Sequence, residues 1–104
     1  MPKTTYNKLI RDKIPEIIEN DGKKAVTYQA NETEFIDKLN EKLKEECLEY
    51  LKSQEIEELA DVIEVIEALL KAKNISWEEI IRIKSKKQQA RGGFDKRIIL
   101  KTVE

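Results

Sequence analysis

Residues 45–61 read Glu45-Glu46-Cys47-Leu48-Glu49-Tyr50-Leu51-Lys52-Ser53-Gln54-Glu55-Ile56-Glu57-Glu58-Leu59-Ala60-Asp61, and the fold follows from where this stretch bends. Before the bend an apolar stripe of Phe35, Leu39, Leu43, Cys47 and Tyr50 recurs at helical spacing. After it another does so, through Ile56, Leu59, Ile63, Ile66 and Leu70. Neither Gly nor Pro occurs between Gly22 and Gly92, so nothing breaks either helix from within. Asn31 with Glu34 makes a capping-box-like start, which predicts one helix running to about Lys52 and a second from after Ser53 to about Lys73. The tight turn left between them folds the pair into an antiparallel hairpin.

Working outward, Asp12 and Pro15 suit the start of a short helix, Ile14, Ile17 and Ile18 its stripe, and Asn20-Asp21-Gly22 its end. Residues 24–29, with Val26 and Tyr28 on one side, lean towards β structure and are expected to pair with Ile98-Ile99-Leu100 as a short two-stranded β element. Ser76 with Glu79 opens a last helix from Trp77 to about Arg91, which Gly92-Gly93 ends. The expected architecture is a single all-α domain over residues 1–104, a helical bundle around the central hairpin. No internal repeat or low-complexity tract interrupts it.

A chain of 104 residues and 12.2 kDa has room for one modest core. Twenty Lys+Arg against 21 Asp+Glu leave a net charge of −1, which argues against a surface built mainly for nucleic acid or an acidic membrane. The absence of His excludes Ser-His-Asp chemistry, Cys-His nucleophiles and His-ligated zinc. The single cysteine, Cys47, closes no intrachain disulfide and fits a reducing compartment. No apolar run reaches signal-peptide or membrane-spanning length, so a cytoplasmic, unexported protein without a membrane partner is expected.

Folding the hairpin about position 53.5 sets Glu49 opposite Glu58 and Glu46 opposite Asp61. Glu46 falls where the stripe calls for an apolar residue. On the second helix Val62, Val65 and Leu69 form an additional apolar flank, with Glu58 within it and Asp61 at its edge. A helix apolar over so much of its circumference packs on two sides, so self-association is expected. Clustered, half-buried carboxylates repel one another and are costly to desolvate unless a cation neutralises them; all-oxygen ligation suits Mg²⁺ or Mn²⁺. The competing reading is a set of ordinary solvated helix acids, as Glu41, Glu45, Glu57 and Glu64 look to be. A carboxylate-bridged di-iron site is disfavoured, because that design uses Glu-x-x-His pairs.

Glu45-Glu46-Cys47-Leu48-Glu49 followed by Glu58-Leu59-Ala60-Asp61 resembles the Glu-Glu-x-x-Glu … Glu-x-x-Asp signature of the all-α nucleoside triphosphate pyrophosphohydrolases, the MazG-like superfamily. The opening residues 6–15 and the closing Arg91-Gly92-Gly93-Phe94-Asp95-Lys96-Arg97 resemble the ends of its phosphoribosyl-ATP pyrophosphohydrolase-like, or predicted house-cleaning non-canonical NTP pyrophosphatase, subgroup. The resemblance spans nearly the whole chain. It implies that Glu46, Glu49, Glu58 and Asp61 ligate Mg²⁺, that Glu45 or Glu49 orients the attacking water, and that the chain forms a homodimer or higher oligomer. Only eight residues separate Glu49 from Glu58, far fewer than in many relatives, so the loop that would reach a nucleotide is nearly absent.

On this reading a nucleoside triphosphate or phosphoribosyl-ATP-like substrate is cut between its α and β phosphates. Its charge calls for cations beyond the metal, and Arg11, Lys13, Lys87, Arg91 and Lys96 are the candidates. Each reads equally as solvated surface, and Gly92-Gly93 equally as a plain helix stop. Tyr6 and Trp77 suit stacking on a base or ordinary packing, and Cys47 is most simply a small core residue. A rival class is a non-catalytic helical module that binds protein, RNA or nucleotide through Lys84 to Arg97. That stretch has no aromatic interleaving, and the rival leaves the placement of Glu46 and Glu58 unexplained.

Overall fold

The computed structural model describes residues 5–104, and Met1 to Thr4, on which the reading of the N-terminus partly rests, lie outside the described residues. Four helices follow one another: α1 (Ile14–Asn20), α2 (Glu32–Ser53), α3 (Ile56–Ala72) and α4 (Trp77–Arg91). The fold is all-α, as the apolar spacing predicts. No helix is long and apolar enough to cross a membrane among these residues.

The helix ends show why the elements fall where they do. The Asn31 side chain accepts a hydrogen bond from the Glu34 N–H at 2.9 Å, and the Ser76 hydroxyl accepts one from the Glu79 N–H at 3.1 Å. Each satisfies a backbone donor that the first helical turn leaves without an intrahelical partner. Asn31→Ala and Ser76→Ala are each expected to lower stability by about 1 kcal/mol in urea unfolding followed by circular dichroism. Substitution by Asp should keep most of it.

At the far ends, α1 and α3 close with the same pattern. Gly22 (φ 81°) and Asn74 (φ 58°) take the left-handed conformation, and paired backbone bonds run from Lys23 to Ile18 and from Ile75 to Leu70. This Schellman closure satisfies the last carbonyls and sets the direction in which the chain leaves each helix. Between α2 and α3, Gln54 at φ 60° sends its N–H back to the Tyr50 carbonyl at 2.7 Å, and the Ser53 hydroxyl accepts the Glu55 N–H at 3.2 Å. Two residues therefore make the turn.

Helices α2 and α3 pack along each other; no other two helices do so among the described residues. The contact buries Leu39 (3% exposed) and Val65 (7%). Thus α3 turns its Val62, Val65 and Leu69 flank to α2, and the turn-end half of the longer stripe stays outside, with Ile56 70% exposed and Leu59 and Ile63 also open, while Ile66 and Leu70 are half-buried. Glu58 and Asp61 share the inward flank, so packing carries them to the seam.

The expected β element does not form. Residues 23–31 are without strand, as are residues 98–104, and the described residues contain no strand at all. Tyr28 instead donates its hydroxyl hydrogen bond to Glu34 in the first turn of α2 at 2.8 Å, which raises the phenol pKa. A lone two-stranded ribbon has little stability of its own, and Ile98-Ile99-Leu100 sits on an extended arm past α4 with each side chain exposed.

Candidate metal centre

Glu46 on α2 and Glu58 and Asp61 on α3 each offer a carboxylate oxygen, and the three oxygens all lie within 4.8 Å of one another. All three residues are half-buried. Spacing puts Glu58 and Asp61 on one face of α3, and the hairpin brings Glu46 across to them. Burial raises the Glu58 pKa, and the charges of Asp61, Glu49 and Glu46 raise it further, as does a hydrogen bond shared with Asp61. Glu58 thus resists being charged beside its acidic neighbours, and a cation in their midst would relieve this.

Glu49 stands outside the tight group and is exposed, though near enough to Glu58 for its charge to be felt. Four carboxylates at two matched levels therefore become three gathered and one at the rim. At about 100° per residue Glu49 lies about 60° around the helix from Glu46, on the side away from Leu43 and Tyr50. The turn residues, Gln54 and Glu55, also place the fold one residue later than position 53.5.

The segment before α1 lies across the hairpin. Arg11 donates to Asp61 at 2.7 Å, Lys8 donates to Glu45 at 3.1 Å, and Lys38 donates to the Asn7 carbonyl at 2.9 Å. Lys8 also sits 5.8 Å from the centre of the exposed Tyr6 ring. From α2 itself, Lys42 reaches Glu46 at 3.4 Å and Glu45 at 3.6 Å. Burial pushes the Glu45 pKa up, but the hydrogen bond from Lys8 and the charges of Lys42 and Lys8 outweigh it and leave the carboxyl below its ordinary value. Lys42 is not marked by the spacing of the acids; its signal is a lysine four residues before Glu46 on one helix face.

Of the candidate phosphate-binding cations, Arg11 is brought to the acids. Lys13, Lys87, Arg91 and Lys96 are all exposed, and none is in an ion pair among the described residues. Trp77 is half exposed, and Cys47 is half-buried, in keeping with a packing role. An open groove of about 510 Å³ runs along the first turns of α2, between Asn31 and Glu41. It shares no residue with the group of Glu46, Glu58 and Asp61 and is lined by polar and charged residues. Scans against protein-family models, curated proteins and solved structures each return no match.

Proposed function

We propose that this chain is a Mg²⁺-dependent nucleoside triphosphate pyrophosphohydrolase that releases a nucleoside monophosphate and pyrophosphate. The observation that carries the reading is the meeting of Glu46, Glu58 and Asp61 within 4.8 Å at the seam of the hairpin, half withdrawn from water. The donor set fits the cation: three carboxylate oxygens are hard ligands, and too few to fill an octahedron, which leaves positions for water and phosphate. Mn²⁺ satisfies the same set. The acidic signature and its likeness to the all-α pyrophosphohydrolases support the same reading.

When bound, the cation would neutralise phosphate charge and lower the pKa of a coordinated water. Glu46, Glu58 and Asp61 hold it. Glu49, exposed at the rim beside Glu58, accepts a hydrogen bond from the water that attacks the α-phosphorus, and the bridging oxygen leaves with pyrophosphate. Glu45 holds Lys8 and Lys42 beside the site. Arg11 balances Asp61 and, with a cation bound there, would be free to pair with the triphosphate. House-cleaning of non-canonical nucleoside triphosphates, or a phosphoribosyl-ATP-like substrate, is the class that the likeness of residues 6–15 and 91–97 to that subgroup supports.

The working form is a homodimer or higher oligomer. The chain exposes 10003 Å² where a compact protein of its mass exposes about 6,100 Å². Its radius of gyration is 18.5 Å against about 13 Å for a globular chain of this length. The difference in surface, about 3,900 Å² per chain, exceeds the roughly 1,000–2,500 Å² that each partner gives to an obligate interface, so the chain has surface enough for one.

The test is pyrophosphate release from canonical and modified nucleoside triphosphates and phosphoribosyl-ATP, each with Mg²⁺, Mn²⁺ or EDTA. Release that EDTA abolishes is the expected result. Silence across the panel in folded protein overturns the reading in favour of a non-catalytic helical module that binds through the basic stretch Lys84 to Arg97.

A further inference from the structure

The charges of this chain are divided between two regions that do not meet within one copy. Residues 45–67, around the hairpin turn, carry nine acids and one lysine. Residues 84–104, the end of α4 and the arm beyond it, carry seven lysines and arginines against Asp95 and Glu104, with Lys96, Arg97 and Lys101 on the arm itself. No ion pair joins the two regions among the described residues.

The apolar side chains are divided in the same way. On the hairpin, Leu48, Leu51, Ile56, Leu59 and Ile63 face outward without cover. On the arm, Phe94 is 96% exposed and Ile99 83%, with Ile98, Leu100 and Val103 nearly as open. Isolated exposed apolar residues are ordinary; two sets of this size, each flanked by charge opposite to the other's, are complementary surfaces.

The connection between α3 and α4 decides which copy the arm can meet. The left-handed Asn74, the Ile75 to Leu70 bond and the Ser76 cap are all satisfied where they stand, and they direct α4 away from its own hairpin. The Schellman closure and the N-cap between α3 and α4 are both complete with α4 clear of its own hairpin. A second copy meets the arm with both intact. Two copies related by a two-fold axis bury both sets at once, arm on hairpin and arm on hairpin.

We propose that the apolar arm of each chain, residues 92–104, lies on the acidic turn end of a second copy's hairpin, with Ile98, Ile99 and Leu100 on its outward apolar residues and Lys96 and Arg97 beside its carboxylates. This rests on the homo-oligomer put forward above and is independent of nucleotide hydrolysis.

The test is zero-length carbodiimide coupling of an equal mixture of ¹⁴N- and ¹⁵N-labelled full-length chains refolded together, read by peptide mass spectrometry. Lys96 should couple to acids of residues 45–67, with about half of those products carrying one light and one heavy peptide. The Lys8 to Glu45 product, 3.1 Å apart within one chain, should stay isotopically unmixed and confirms that coupling has worked. Lys96 products that are all unmixed overturn the proposal, because the arm then lies on its own hairpin. Absence of any Lys96 product with this region, while Lys8 couples, overturns it as well. Nucleotide turnover does not enter the readout, so an inactive protein with mixed Lys96 products would refute the hydrolase and leave the exchanged arm standing.

Discussion

Glu46→Gln and Asp61→Asn are each expected to lower Mg²⁺-dependent pyrophosphate release by about 100-fold or more while the helical circular dichroism spectrum is unchanged. Removing a group that merely supports a metal ligand already costs up to about 100-fold, so removing a ligand should cost at least that. Both substitutions keep the shape and take away one charge from a group of three whose oxygens lie within 4.8 Å. Without metal, stability should stay within about 1 kcal/mol of the parent, because each carboxylate gives up one modest ion pair, to Lys42 or Arg11, and relieves repulsion in exchange. Glu57→Gln, at an exposed acid outside the group, is the control and should leave turnover unaltered. Parental rates in either Glu46→Gln or Asp61→Asn would remove these residues from the metal site.

The second large effect is on the hairpin itself. Leu39→Ala should destabilise the protein by about 2–4 kcal/mol, since Leu39 is the most buried side chain described and a truncated core leucine loses both transfer energy and packing. Ile17→Ala, at an exposed position of α1 outside both apolar sets, is the control and should cost far less. The measurement is urea unfolding followed by circular dichroism at one fixed protein concentration, because association adds to apparent stability. A loss under about 1 kcal/mol at Leu39 would mean that the seam between α2 and α3 is not what holds the fold.

Most of the secondary structure was legible because it is governed by neighbours in the chain. Asn31 with Glu34 and Ser76 with Glu79 are sequence signals three residues long, and the side chains make the caps those signals predict. Gly22 and Gly92 stop their helices at positive φ as such glycines do. The β-leaning stretch around Val26 misled for the opposite reason. A strand exists only when a distant partner pairs with it, and the segment ending in Leu100 is held on an arm instead.

The candidate site was legible in part. The pairing of Glu46 with Asp61 follows from the hairpin, but the position of Glu49 depends on rotation of α2 by a few tens of degrees, which periodicity does not resolve. Arg11 gave no local sign of meeting Asp61, fifty residues away. Neither did Lys8 of meeting Glu45.

By itself, then, the sequence determined four helices, the caps of α2 and α4, the hairpin and an acidic seam, since each depends on hydrogen bonds or spacings close along the chain. Tertiary structure alone decided which apolar face of α3 turned inward, which acids came together, that residues 7–11 crossed the seam, and that the arm stood clear of it. The physical reason is that α3 carries two apolar faces of similar content. Composition cannot rank them, and the choice is made by packing the Leu39 side of α2 against Val65, which carries Glu58 and Asp61 inward and leaves Ile56, Leu59 and Ile63 outside.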